Sequence, residues 1–193
     1  ISEWGHDFRP AYRQIITLKE LHPRIPIIAV TATATKAVQE DIIAALELQN
    51  PKVFKSSYER SNIHYHIKKT GDKRQELCDF YTTQPGSSIT YVRSRKNAVE
   101  FTLLLQQSQI TAGFYHGGLS NKLRTRTSQS WMSNKLQVMV ATNAFGMGID
   151  KPDVRSVVHL QLPDSVESYY QETGRAGRDG NTSIAHFIYN RND

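Results

Sequence analysis

From residue 72 to the end of the chain, short apolar runs alternate with longer amphipathic stretches, and this alternation constrains the fold more than any other feature. Apolar runs are expected as strands at 88–92, 111–115, 136–142, 154–160 and 183–189. Helical spacing predicts helices at 72–83, 96–108, 119–133 and 165–173. Strands that are apolar along most of their length are covered on both faces, which asks for βαβ units and a parallel sheet between helices, an α/β class. Upstream, the same reading predicts helices at 10–22 and 36–48, and strands at 25–30 and 53–55. Residues 56–71 are polar and read as a crossing between two units. The expected organisation is therefore residues 1–58, a crossing at 59–71, and a second unit at 72–193.

Composition narrows the function by exclusion. Cys78 is the only cysteine, so neither an internal disulfide nor a cysteine zinc site can form. No apolar run approaches the roughly 18 residues that would suggest a membrane span, and the first residues show no signal-peptide pattern, so an intracellular chain is expected. The formal charge of +6 suits contact with a polyanion or, equally, a solvated basic surface.

Open parallel sheets place their working loops beyond the carboxyl ends of the strands, and several polar clusters follow expected strands here. Thr90-Tyr91-Val92-Arg93-Ser94-Arg95 closes one. Ser94 and Arg95 can hold backbone phosphates, or Ser94 can simply cap the next helix. Thr142-Asn143-Ala144-Phe145-Gly146-Met147-Gly148-Ile149-Asp150 closes another. It offers a hydroxyl at Thr142, a Gly-x-Gly turn with exposed N–H groups, and Asp150 for a ribose hydroxyl, a metal-bound water or a bridging arginine; it also suits a tight strand-to-strand loop. Thr31-Ala32-Thr33-Ala34-Thr35 follows the expected strand 25–30, as a hydrogen-bonded relay or an N-cap. His116 stands beside Gly117 and Gly118, where a histidine is more often structural. Gln171-Glu172-Thr173-Gly174-Arg175-Ala176-Gly177-Arg178-Asp179-Gly180 follows a helix. Its planar guanidinium groups suit bidentate phosphate contact, or pair with Glu172 and Asp179 next to them. Near the start, Trp4-Gly5-His6-Asp7-Phe8-Arg9-Pro10 is either a stacking platform for bases or a hydrophobic anchor.

In this order the clusters resemble the motifs of superfamily 2 helicases: 31–35 resembles motif III, 90–95 motif IV, 142–150 motif V, and 171–180 motif VI with its Q-x-x-G-R-x-G-R pattern. The segments W-G-H-D-F-R-P at 4–10 and S-Y-Y-Q-E-T at 168–173 are similar to the RecQ family of DNA helicases in particular. The chain departs from that family at Val92-Arg93, where cysteine and asparagine are common. The resemblance implies a RecA-like, P-loop NTPase-like helicase lobe at 72–193, with part of a preceding RecA-like lobe at 1–58. It implies that Arg175 and Arg178 reach the ATP γ-phosphate, with Arg178 as the arginine finger, and that Asp150, Gly148 and Gln171 border the nucleotide. It implies that Trp4, His6, Phe8 and Arg9 sense single-stranded DNA, and that Ser94, Arg95 and Thr142 hold the DNA backbone. A whole protein of this kind is an ATP-dependent 3′-to-5′ DNA helicase of repair and recombination. It would use ATP and Mg²⁺, act on single-stranded and forked DNA as a monomeric motor without membrane contact, and reside in the bacterial cytoplasm or nucleoid, or in a nucleus.

No G-x-x-x-x-G-K-[ST] and no D-E-x-H occurs in the chain. A P-loop is what cradles the phosphates and places Mg²⁺, so this chain alone is expected to be inactive. Zinc is expected only in a further domain of the longer protein.

Overall fold

A computed structural model describes residues 15–31, 34–55, 57, 59–146 and 148–191. The chain divides into two compact units, Ile1–Tyr58 and Glu59–Asp193. In the first, α1 (Ile15–Leu21) and α2 (Lys36–Ala45) are formed. Thr35 caps α2, its Oγ1 accepting from Val38 N at 3.3 Å, and Lys19 Nζ donates to Leu46 O at 3.3 Å. The strands expected at 25–30 and 53–55 do not form. Ile28, Val30 and Phe54 are 84, 88 and 90% exposed. A strand is held by ladder hydrogen bonds to a neighbour, and no described residue of this unit supplies one.

The second unit is built on six strands: β1 (Ile63–Lys69), β2 (Ser87–Tyr91), β3 (Ala112–Tyr115), β4 (Val138–Ala141), β5 (Val154–His159) and β6 (Ser183–Tyr189). All pairings are parallel, in the order β1-β6-β5-β2-β4-β3. The helices are α3 (Lys73–Thr83), α4 (Arg95–Gln107), α5 (Asn121–Met132) and α6 (Val166–Thr173). Each begins on a polar cap whose side chain accepts from the first turn: Asp72, Ser94, Ser120 and Ser165 respectively. The expected parallel sheet with helical cover is what the chain forms.

Alternation along the strands divides the core into two layers. Val138 and Val140 of β4 face α3 and α4 with Leu77, Tyr81, Ala98 and Leu105. Met139 and Ala141 face the other way, with Ile89, Tyr91, Val157 and the Trp131 of α5. Trp131 is fully buried, and its Nε1 donates to Ser88 O at 3.0 Å.

Two connections differ from the ordinary βαβ pattern. β4 passes to β5 through residues 142–153 without a helix. Residues 63–69, read in the sequence as part of a polar crossing, form β1, paired with β6 from Ile63↔Ser183 to Lys69↔Tyr189. Only Ile63 of β1 is buried. The rest of this edge strand is exposed, and although Ile63-His64-Tyr65-His66-Ile67 alternates in the sequence, the polar residues around it hid the strand.

Candidate functional site

Two sets of side chains come together in the second unit, and one loop joins them. The first set lies at the carboxyl ends of the neighbouring strands β2, β4 and β3. Ser94 follows β2 and caps α4, its Oγ accepting from Asn97 N at 3.0 Å. Arg95 reaches the loop after β3, where its guanidinium lies so close to Gly118 that a Cβ there would collide with it. Thr142 follows β4, nearly buried, with its N donating to Tyr115 O at 3.1 Å and its O accepting from Phe145 N at 3.0 Å. The structure thus brings Ser94, Arg95 and Thr142 to one end of the sheet. His116, on the same end, is buried and stacked on Phe114, 5.8 Å between ring centroids, a structural placement. Across the β2–β5 boundary, Arg93 N donates to Gln161 Oε1 and its Nη2 to Asp164 Oδ1, both at 2.8 Å.

The second set lies toward the amino ends of β5 and β6, where α6 delivers the glycine- and arginine-rich loop. Gly177 N donates to Val154 O at 2.9 Å and Asp179 N to Pro152 O at 3.2 Å, which fixes the loop there. The neighbouring acids do not neutralise its arginines. Glu172 is taken by buried His159, Nε2 to Oε2 at 2.7 Å. The carboxylate only accepts, so His159 Nε2 is the donor. Asp179 is taken by Arg155, whose Nη2 reaches both carboxylate oxygens at 2.7 Å and holds that carboxyl down at about 2.

Arg175 and Arg178 turn instead to the loop 142–153. Arg175 Nη1 donates to Gly146 O at 2.6 Å. Gly146 has a positive φ of 153°, and any Cβ there would collide with the Arg175 guanidinium. A bare backbone is therefore required for this contact. Arg178 Nη1 meets Asp150 Oδ1 at 2.8 Å and Ile149 O at 3.3 Å. Asp150 is 85% exposed in its side chain and Arg178 36%, so the pair contributes about 0–1 kcal/mol and is readily exchanged. Of the three roles open to Asp150 in the sequence, the structure shows the bridging arginine. Gly148, exposed and with φ 76°, stands in the same loop, and Gln171 lies exposed on α6, one turn before Arg175.

The loop 142–153 is anchored along its length. Tyr91 Oη donates to Phe145 O at 3.1 Å. Burial pushes the Tyr91 phenol far above its ordinary value, with the Arg175 charge opposing, so it stays a donor. At the far end Lys151 is buried. Its Nζ reaches Asp153 Oδ1 and Asn134 Oδ1, each at 2.8 Å, and Met132 O at 3.3 Å, and lies 5.5 Å from the Trp131 ring centroid. The hydrogen bond from Lys151 is the main cause holding the Asp153 carboxyl below its usual range. One loop therefore carries Thr142 at the carboxyl end of the sheet and Asp150 against Arg178.

Sequence reading passed over Arg60 and Asn62. Arg60 donates to Gly174 O at 3.4 Å, Ala176 O at 3.2 Å and Gly177 O at 2.9 Å. Asn62 Nδ2 donates to Gly177 O at 2.8 Å and Asn181 O at 3.0 Å. The available signal was the run Y-E-R-S-N-I in the polar crossing, two donor side chains without an apolar pattern. Trp4, His6, Phe8 and Arg9 lie outside the described residues, as do Ala32 and Thr33. Among the described residues no His, Cys, Asp and Glu cluster is arranged to hold a metal ion.

A family model described as helicase conserved C-terminal domain matches residues 72–180. ATP-dependent helicase SGS1 of Saccharomyces cerevisiae is 45% identical over 196 residues, covering 98% of this chain and 13% of that protein. ATP-dependent DNA helicase RecQ of Pasteurella multocida is 45% identical over 190 residues, covering 98% of this chain and 30% of that protein. The chain thus spans less than a third of either relative. The solved structure of S. cerevisiae Dbp5 bound to RNA and ADP BeF3 superposes with a TM-score of 0.75 at 24% identity, covering 94% of this chain and 50% of that one. At that identity the likeness shows the fold, a RecA-like helicase lobe. The chain belongs to the helicase conserved C-terminal domain family, and within it to the RecQ type.

Proposed function

We propose that this chain is part of the motor core of an ATP-dependent 3′-to-5′ DNA helicase of repair and recombination. In this reading residues 72–193 form the second RecA-like lobe, 59–71 the entry to it, and 1–58 the end of the first lobe. ATP and Mg²⁺ are held mainly by a P-loop and an acidic box in the rest of the longer protein, and zinc, if used, by a further domain. Single-stranded or forked DNA runs over Ser94, Arg95 and Thr142, and over Trp4, His6, Phe8 and Arg9. The protein works as a monomeric motor, in the cytoplasm or nucleoid of a bacterium or in a nucleus.

The observation that carries this reading is the way the arginine loop is wired. Glu172 and Asp179 are occupied by His159 and Arg155, while Arg178 meets an exposed carboxylate at the surface. A guanidinium so presented can trade Asp150 for the γ-phosphate of a nucleotide brought by the other lobe, and stabilise the charge that spreads over the transferring phosphoryl group. Arg175, seated on Gly146 O, couples that position to the loop bearing Thr142. Nucleotide on one end and DNA on the other then act on the same segment, 142–153. Without a P-loop the chain alone turns over no ATP.

The test is turnover by the longer protein carrying Arg178→Ala. By analogy with arginine fingers, kcat for DNA-stimulated ATP hydrolysis falls by about 10³-fold, with DNA affinity retained. Normal turnover would remove Arg178 from the mechanism.

A further inference from the structure

We infer that Arg60 and Asn62 are positioning residues for ATP hydrolysis, a clamp that sets the geometry of the arginine loop; this rests on the reading of Arg178 given above. The loop begins where α6 ends, and the last carbonyls of a helix have no partner within it. Here α6's last carbonyls are met by the loop backbone, Gly174 N donating to Tyr170 O, Arg175 N to Glu172 O and Ala176 N to Thr173 O, and the loop's own carbonyls are met by one side chain. Arg60 spreads its donors over Gly174 O, Ala176 O and Gly177 O, which alternate with the backbone of Arg175 and precede Arg178. A cation at a helix carboxyl end is also favoured by the aligned peptide dipoles.

Asn62 closes the clamp from the other side. Its Nδ2 spans Gly177 O and Asn181 O, and its own carbonyl accepts from Ser183 N at 2.9 Å, where β6 begins. Gly177 has φ 56°, and a Cβ on it would collide with Asn62 Nδ2, Asn181 O and Ser183 Oγ. The amide thus sits against a bare, left-handed backbone that only glycine provides without strain. Ile63 N donates to Arg60 O at 3.0 Å, which ties the clamp to the first residue of β1. Both side chains come from a segment that enters the second unit at Glu59. The first residues of the second unit therefore hold the loop carrying both arginines.

A side chain aimed at a transition state loses about 10²-fold in rate for a displacement near 1 Å. Releasing the clamp should thus act on kcat and leave ground-state binding in place. In the longer protein, Arg60→Ala and Asn62→Ala are expected to lower kcat for DNA-stimulated ATP hydrolysis by about 10- to 100-fold. KM for ATP, DNA affinity and the melting temperature change little. Arg60→Lys keeps the charge but not the planar fork, and recovers part of the loss. In the Arg60→Ala/Arg178→Ala double variant the two losses do not multiply, because the clamp acts through the loop that carries Arg178.

Wild-type kcat in Arg60→Ala and Asn62→Ala, or losses that multiply in the double variant, would overturn the inference while leaving the role of Arg178 intact. Should Arg60→Ala not fold, Asn62→Ala and Arg60→Lys carry the same comparison. Normal turnover by Arg178→Ala would overturn both this inference and the reading beneath it.

Discussion

At the scale of single residues, the site depends on which acid meets which base. Four charged partners are close in sequence, yet Glu172 goes to His159, Asp179 to Arg155, and Asp150 to Arg178. Among the described residues Arg175 has no carboxylate partner, and it relies on Gly146 O. That contact gives a prediction. Gly146→Ala puts a methyl group where the Arg175 guanidinium lies, so the arginine must leave its seat. Turnover in the longer protein is expected to fall by about 10- to 100-fold, with the fold retained, since Gly146 belongs to a loop. Steady-state kinetics beside a thermal melt check this; unchanged kcat would mean the seat is immaterial. The sequence showed which arginines and glycines would gather, because G-R-x-G-R is a dense local pattern. It could not show their partners, because a guanidinium pairs with an acid next to it or with one far along the chain at similar energy, and only packing decides.

At the scale of elements, most of the second unit was legible. Its inner strands are short runs buried along most of their length, with Val138–Ala141 wholly apolar, and its helices start on Asp72, Ser94, Ser120 and Ser165, so period and caps agree with the outcome. Two kinds of element were misread for opposite reasons. Residues 25–30 are apolar enough for a strand yet find no neighbour to pair with among the described residues, whereas β1 alternates only over 63–67 inside a polar stretch yet is held by its whole register with β6. The role of Arg60 and Asn62 was hidden with β1, since a donor is recognisable only once its acceptors are placed.

The seam where α3 packs on β6 carries a pH prediction. His186 of β6 is stacked on Phe80 at 4.8 Å, interplanar angle 5°, and among the described residues neither ring nitrogen has a hydrogen-bond partner. Burial holds its pKa below the ordinary 6.5, with nearby Glu76 opposing and His66 and Lys68 reinforcing. The unfolded chain therefore binds the proton more readily than the folded one. Stability from this group is full above about pH 6.5 and is lost as pH falls below it. The melting temperature should drop between pH 8 and pH 5.5, and His186→Phe should flatten that part of the profile. An equal drop in the variant would place the titrating group elsewhere.

At the scale of the whole molecule, the second unit has a six-stranded sheet, two packed layers and one loop that bears both Thr142 and Asp150. What it lacks in sequence is a phosphate-binding loop. The proposed chemistry is thus divided: this chain contributes arginines and DNA contacts, and another part of the longer protein contributes the cradle for ATP and Mg²⁺. Division explains why Arg178 rests against an exposed acid rather than in a closed pocket. The most direct test is ATP hydrolysis, with and without single-stranded DNA, by this chain and by the same chain extended upstream through a P-loop-bearing lobe. The account predicts that only the extended chain hydrolyses ATP and that DNA strongly stimulates it. Hydrolysis by this chain alone, or an extended chain inert with every nucleic acid, would contradict it.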